Sequence, residues 1–420
     1  MKIRINERYF FYLLLIVTPF IDLANALIHI SGTSSFLSVG QITRIFILII
    51  MFAYILRCNG RYGKYLLALI FALILHDLVY ALFGSTNLAQ NLSYNLRYIY
   101  VLSFGFALLT ALQRQKISKL DLYRLIKIIT SLVAIISLFS SFAGIGLDYA
   151  GTKRVFTEVN ALTAILVIGC GLYVYEIVFY SKNISTIIMT LIMITATISQ
   201  ATKTGLIGVV VCGLFMYFYV GFVRKKFLKQ FILLLFLGIA IIVLQRYYLQ
   251  GNGTAILSRW KYFYNNMDIM SFLLSGRDNM LVTSFDIWIK HPFSVLFGLG
   301  FSFAVKLIFS INPTQNFIGA EMDVFDLFFY YGLFIGIAVS VPIFKNLLKC
   351  LKNLFKNNQK SYYNFLYIIV FFIMFLGGHV LNSPLAGLAF CLLFCLTYGD
   401  NNEKFGNDWI SELDETGKGS

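Results

Sequence analysis

Twelve apolar runs, most of them close to twenty residues long, leave this chain little choice of architecture. A helix rises about 1.5 Å per residue, so roughly 20 apolar residues cross the ~30 Å hydrocarbon core of a bilayer. In that setting a helix also satisfies its own backbone hydrogen bonds. The runs fall at about 9–28, 37–56, 64–83, 93–112, 122–143, 159–180, 184–199, 204–222, 228–245, 324–344, 362–380 and 384–399. Only 13% of the 420 residues are charged, whereas a soluble domain carries about a quarter. The expected fold class is an all-α polytopic membrane protein with about 12 transmembrane helices and a large external loop between spans 9 and 10.

The connectors test that count. Lys and Arg gather in alternate ones: Lys2, Arg4 and Arg8; Arg57, Arg61 and Lys64; Arg114, Lys116, Lys119 and Arg124; Lys182; Arg224 to Lys229; and Lys345 to Lys360. The positive-inside rule makes this set cytoplasmic. Both termini are then expected inside, and the 246–322 loop outside. The net charge of +15 lies in these connectors rather than on one face, which argues against a nucleic-acid partner. The chain divides into 1–245 with spans 1–9, the 246–322 loop, 323–399 with spans 10–12, and a polar tail at 400–420 expected to be loose and cytoplasmic. The first run has a basic flank but no small-residue cleavage site, so it reads as a retained span. Cysteines 58, 170, 212, 350, 391 and 395 lie in or beside apolar runs without metal-type spacing, and no chemistry is assigned to them. Residues 280–309 of the loop read as helices lying on the membrane or dipping partly into it.

Cations on the outer side work against the topology rule, so each needs a reason. They are Arg44, Arg97, Lys153, Arg154, Lys203, Arg246, Arg259, Lys261, Arg277, Lys290 and Lys306. Arg44 and Arg97 fall within the outer part of apolar spans, where a charge either faces a cavity or partner or snorkels to the headgroups. Lys203, in Thr202-Lys203-Thr204-Gly205, is either an interfacial anchor or an anion contact beside an approachable backbone. Arg277 either pairs with Asp278 or meets substrate, and Arg259 beside Trp260 is open in the same way. Glu321, Asp323 and Asp326 close the loop. Carboxylates there favour a helix N-terminus, or one of them takes a proton from a substrate hydroxyl. His379, in Gly377-Gly378-His379, has the same two readings.

Four places carry a resemblance: Thr18-Pro19-Phe20-Ile21-Asp22-Leu23-Ala24-Asn25 followed by Gln41 and Arg44; Thr202 to Gly205; Ser275-Gly276-Arg277 with His291-Pro292 and Gly298-Leu299-Gly300; and Glu321, Asp323, Asp326 with Tyr331-Gly332 and Gly336. In order and sidedness they resemble the bacterial O-antigen and capsular repeat-unit polymerases, within the O-antigen ligase/polymerase superfamily. Lys203 stands where many members carry arginine, and Glu321 stands where ligases carry histidine.

The resemblance implies a metal-independent, inverting glycosyltransferase of the bacterial plasma (inner) membrane, without cofactor. It would join undecaprenyl-diphosphate-linked oligosaccharide repeat units at the outer face, with a polysaccharide chain-length regulator as a further partner. On this reading Arg277 and Lys203 hold the diphosphate with help from Arg44, Arg97 and Arg154, and Glu321 is preferred over Asp323 as base. Asp326, Asn160, His379 and Arg259 are secondary contacts. The alternatives are an O-antigen ligase and a lipid-linked glycan transporter.

Overall fold

The computed structural model describes residues 6–30, 39–82, 87–149, 152–156, 158–179, 183–200, 202–220, 271, 274–311, 319–355 and 360–398. They form an all-helical membrane protein. The helices are α1 (Glu7–Ile30), α2 (Val39–Cys58), α3 (Gly60–Leu82), α4 (Leu88–Gln113), α5 (Lys119–Phe142), α6 (Val159–Phe179), α7 (Ile184–Ser199) and α8 (Lys203–Phe218). After the loop begins come α9 (Arg277–Lys290), α10 (Pro292–Phe297), α11 (Phe301–Ile311), α12 (Asp323–Lys352), α13 (Lys360–Gly377) and α14 (Pro384–Thr397). Among the described residues, seven helices have the length and apolarity to cross a bilayer: α1 to α6 and α12. The runs expected at 184–199, 204–222, 362–380 and 384–399 form the shorter apolar helices α7, α8, α13 and α14. The run at 228–245 and the tail from 400 lie outside the described residues. One small departure from the all-helical expectation is a two-stranded antiparallel hairpin, β1 (Leu147–Tyr149) with β2 (Thr152–Arg154).

Helix starts follow local chemistry. Asn87, Ser118, Asn183, Thr202 and Ser383 each accept a backbone N–H of the first turn, and Ser118 with Asp121 completes a capping box. A helix that is apolar all round must be covered all round. Accordingly α6 and α14 are the most enclosed, with α5, α7, α8 and α13 packed on α6, and α4 and α5 packed on α14. The large exposed apolar side chains, Phe46, Phe71 and Phe139 among them, sit on the outer helices. Contiguous apolar surface of this kind suits lipid rather than water.

The 280–309 segment of the loop is helical, in short pieces. At 14, 6 and 11 residues, α9, α10 and α11 are too short to span. The His291-Pro292 junction is stapled locally: Trp288 Nε1 donates to the Ser294 carbonyl at 2.7 Å, and Ser294 Oγ donates to the Trp288 carbonyl at 2.9 Å.

The decisive feature is a break in α12. Gly332 adopts φ 73°, ψ −175° inside the helix, a conformation essentially reserved for glycine. A break frees backbone groups that an apolar environment leaves unpaired at a cost of several kcal/mol each. The Gly298-Leu299-Gly300 segment fills that need. Leu299 N donates to the Phe329 carbonyl at 3.0 Å and Gly300 N to the Tyr330 carbonyl at 2.9 Å. Tyr80 of α3 donates to the Gly298 carbonyl. Two glycine motifs some thirty residues apart in sequence are therefore one interlock. A side chain on Gly332 would strike the Leu296 carbonyl and the Gly298 nitrogen. Gly332→Ala should destabilise the protein by about 3 kcal/mol or more, since strained φ alone costs roughly 1–3 kcal/mol; thermal unfolding in detergent checks this, and an unchanged midpoint contradicts the interlock.

Candidate functional site

The loop exit carries three carboxylates in six residues, and the fold uses two of them to build itself. Asp323 Oδ2 accepts Val380 N at 2.6 Å and Leu381 N at 3.1 Å. It thereby caps the turn between α13 and α14. Asp326 Oδ1 accepts Ala320 N at 2.7 Å and folds the loop exit back on the first turn of α12. Both side chains are buried. Asp323, expected as an alternative base, and Asp326, expected as a secondary contact, are thus engaged with backbone donors. Glu321 differs. It sits at φ 52°, its side chain is 27% exposed, and a Cβ on Gly378 would collide with its carbonyl oxygen. The loop exit and the α13–α14 turn are therefore pressed together, with Glu321 and His379 (φ 66°) in left-handed conformations at the junction.

Arg277 arrives from the other side. Ser275 and Gly276, at φ 60° and 80°, turn the chain into α9, and Arg277 is its first residue. Its guanidinium is 9% exposed and places Nη2 3.5 Å from Glu321 Oε2. Nη1 also lies 3.5 Å from the Leu274 carbonyl, while Nε has no hydrogen-bond partner among the described residues. A guanidinium carries five N–H donors in a planar fork. In Arg277 the Nε is enclosed, and the Nη nitrogens, both at the long distance of 3.5 Å from their acceptors, are the ones an anion's oxygens would meet.

Beside this pair lies a cavity of about 1600 Å³. Its polar wall includes Gln90, Ser93, Arg97, Glu158, Asn160, Glu321, His379 and Asn382, and Tyr94, Phe301 and Tyr330 supply aromatic surface. These residues come from the same end of the bundle: the starts of α4, α6, α11, α12 and α14 and the segment just after α13.

The remaining expected cations are placed as follows. Arg97 reaches the cavity wall, 2.9 Å from Glu158. Arg154 is buried and donates to the Gln200 carbonyl at the α7–α8 connection. Lys203 is the first residue of α8, whose next residue, Thr204, lies in van der Waals reach of Gly377. The start of α8 therefore abuts the turn that holds His379. Arg44 is engaged by a neighbouring helix: it pairs with Asp22 across α1 and α2, both side chains mostly buried, on the turn of α2 whose Gln41 and Ile45 line the cavity. Asn25 accepts Gly40 N in the same helix pair, so the early Asp-Asn pattern with Arg44 is a clasp between neighbouring helices. Arg259 lies outside the described residues, as do Arg246 and Lys261.

Sequence reasoning missed a polar network in the apolar wall. His76 Nδ1 faces Asp77 Oδ1 at 3.2 Å, and Asn95 Nδ2 donates to Asp77 Oδ2 at 2.5 Å. Tyr331 donates to Asn95 Oδ1. One turn earlier on α4, Asn91 Oδ1 accepts Ser302 N at 2.7 Å. The signal was present: an adjacent His and Asp inside an apolar run, and asparagines four apart on the next helix. Together they bind α3, α4, α11 and the broken α12 at the level of the interlock.

Among the described residues no group of three His, Cys, Asp or Glu side chains is arranged to hold a metal ion. No protein-family model and no curated protein matches this chain.

The Arg44–Asp22 clasp is open to a double-mutant cycle. Removing one partner of a buried pair typically costs about 3–5 kcal/mol, and replacing both by apolar residues costs much less. Arg44→Leu and Asp22→Leu should each lower the unfolding midpoint clearly, with the double variant recovering much of the loss. Additive losses in the double variant rule the clasp out.

Proposed function

We propose that this protein is a polysaccharide polymerase of the membrane: an inverting glycosyltransferase that joins undecaprenyl-diphosphate-linked repeat units at the outer face of a bacterial plasma membrane. The observation that carries the reading is the buried Arg277 guanidinium 3.5 Å from Glu321, a carboxylate that shares a cavity wall with His379. On the proposed topology the chain spans the bilayer twelve times with both termini cytoplasmic. The cavity-lining helix ends then all face outward, where a lipid-linked donor and acceptor would meet.

The reaction asks for two things. The acceptor hydroxyl must lose its proton as its oxygen attacks the anomeric carbon, and the diphosphate must accept the electron pair of the breaking C–O bond. Glu321 takes the proton as general base. Arg277, with Lys203 and Arg154 at the neighbouring α8 start and Arg97 on the cavity wall, supplies fixed positive charge to the departing diphosphate. Preplaced charge of this kind is worth most where water is excluded. An arginine fork also suits phosphate oxygens geometrically. A ligase that passes finished polymer to another acceptor would share the donor half of this scheme.

A transporter is the second reading, and one observation favours it: a broken helix beside buried polar groups, as many transporters have at their substrate sites.

Two measurements separate these. Arg277→Ala and Glu321→Gln should each reduce polymer by at least about 100-fold, the order associated with losing one preplaced electrostatic group, while the protein still inserts at wild-type level. The surface polysaccharide ladder should collapse to single repeat units. A normal ladder in both variants would falsify the assignment. Deleting the protein should likewise leave one-unit products; lipid-linked units retained inside the cell would point to transport, and free lipid-linked polymer to a ligase.

A further inference from the structure

The aromatic part of the cavity wall has no role in the chemistry above, yet it is among the most firmly fixed parts of the site. Tyr94 and Phe301 stack with ring centroids 3.9 Å apart and planes at 15°. Tyr330 meets both edge-on, at 5.3 Å and 5.5 Å. Tyr94 and Phe301 are half-buried at the cavity wall, and Tyr330, fully buried, backs them. Phe301 and Tyr330 are held through backbone bonds at or beside them. Ser302, next to Phe301, donates its N–H to Asn91 of α4 at 2.7 Å, and its hydroxyl accepts Asn87 N at 3.0 Å. The Tyr330 carbonyl accepts Gly300 N in the interlock. The platform thus joins three elements and does not depend on a ligand for its shape.

The second observation is independent of the first. Asn382, just after the α13–α14 turn, lines the same cavity, is 5% exposed, and its Oδ1 has no hydrogen-bond partner among the described residues. Burying an acceptor without a donor costs about 1–3 kcal/mol. The oxygen is enclosed as it stands, so a ligand O–H or N–H would meet it through a small turn of the Asn382 amide toward the cavity. Gln90, Ser93 and Asn160 add uncharged hydrogen-bonding side chains to the same wall.

We infer that Tyr94, Phe301, Tyr330 and Asn382 form a saccharide subsite. A pyranose has two chemically distinct kinds of surface. Its axial C–H bonds form an apolar, slightly positive face that lies against the negative face of an aromatic ring. Its rim of hydroxyl or acetamido groups donates to amide oxygens. A flat aromatic platform with a buried amide acceptor nearby matches both. A diphosphate or a polyprenyl chain would use neither the flat ring face nor the amide together. A preordered platform lowers the cost of binding a flexible oligosaccharide. This subsite deepens the polymerase reading and rests on it for the identity of the glycan, with Glu321 and His379 at another part of the same wall.

The test uses the full-length protein in nanodiscs. The probe is the oligosaccharide released by mild acid from the lipid-linked pool of a host strain lacking this protein. Calorimetric titration should show saturable binding to wild type, and at least tenfold weaker binding to Tyr94→Leu and Asn382→Ala. Saturation-transfer NMR on the unmutated protein, with irradiation confined to aromatic protons, should label the axial C–H protons of one sugar ring most strongly. That measurement decides the matter even where a variant fails to fold. No binding to wild type, undiminished binding by the two variants, or no preference for axial protons overturns the subsite. Its fate is separable from that of the polymerase reading. Loss of the ladder in Arg277→Ala without sugar binding to wild type sinks only the subsite, whereas sugar binding with a normal ladder sinks only the transferase.

Discussion

The structure depends on how backbone hydrogen bonds are met where α12 is broken. An uninterrupted helix in an apolar setting needs no help from its neighbours, but a helix interrupted at Gly332 must find donors for the carbonyls it releases. Here they come from Leu299 and Gly300 in the segment between α10 and α11. That single exchange fixes the external loop to the membrane bundle, sets Tyr330 against Phe301, and brings α11 onto α4. The Ser302 bonds to Asn87 and Asn91 and the Arg277–Glu321 pair add further ties to α11 and α9.

Around the interlock the polar residues divide into those that hold the frame and those left for chemistry. Asp323, Asp326, Asn91 and Asn95 each hydrogen-bond within the protein, and each ties together segments distant in the fold or at the loop exit. Buried polar groups that bond across elements add rigidity and fix one arrangement of helices. Glu321 and Arg277 are different: they meet each other at 3.5 Å, and Glu321 is 27% exposed on the wall of one cavity. That contrast is the physical ground for assigning the proposed chemistry to Glu321 in preference to Asp323, though both lie in the same short acidic stretch.

The positive charges sort in a similar way. Arg44 and Asp22 neutralise one another between α1 and α2, a helix pair that buries both side chains. Arg277 is also paired, but more loosely, at 3.5 Å, and with a carboxylate that opens to the cavity. An Arg on an apolar span is thus not one kind of feature. Whether it clasps a neighbouring helix or serves an anion depends on what the adjoining helix offers, and the adjoining helix is a tertiary fact.

The sequence by itself determined the elements. Run length and composition gave helices at every expected position that the structure describes, because a helix long enough and apolar enough for a bilayer is dictated by local properties. The loop's short helices were legible for the same reason, and Glu321 and Arg277 were visible as polar residues in a chain with few of them. The tertiary structure alone decided which polar residues meet. Nothing local says that Gly298 to Gly300 would pair with Phe329 and Tyr330, that Asp323 would cap a turn more than fifty residues away, or that Asn95 would bridge Asp77 and Tyr331. Helices form from contacts a few residues apart, whereas a site is built from side chains that only packing brings together.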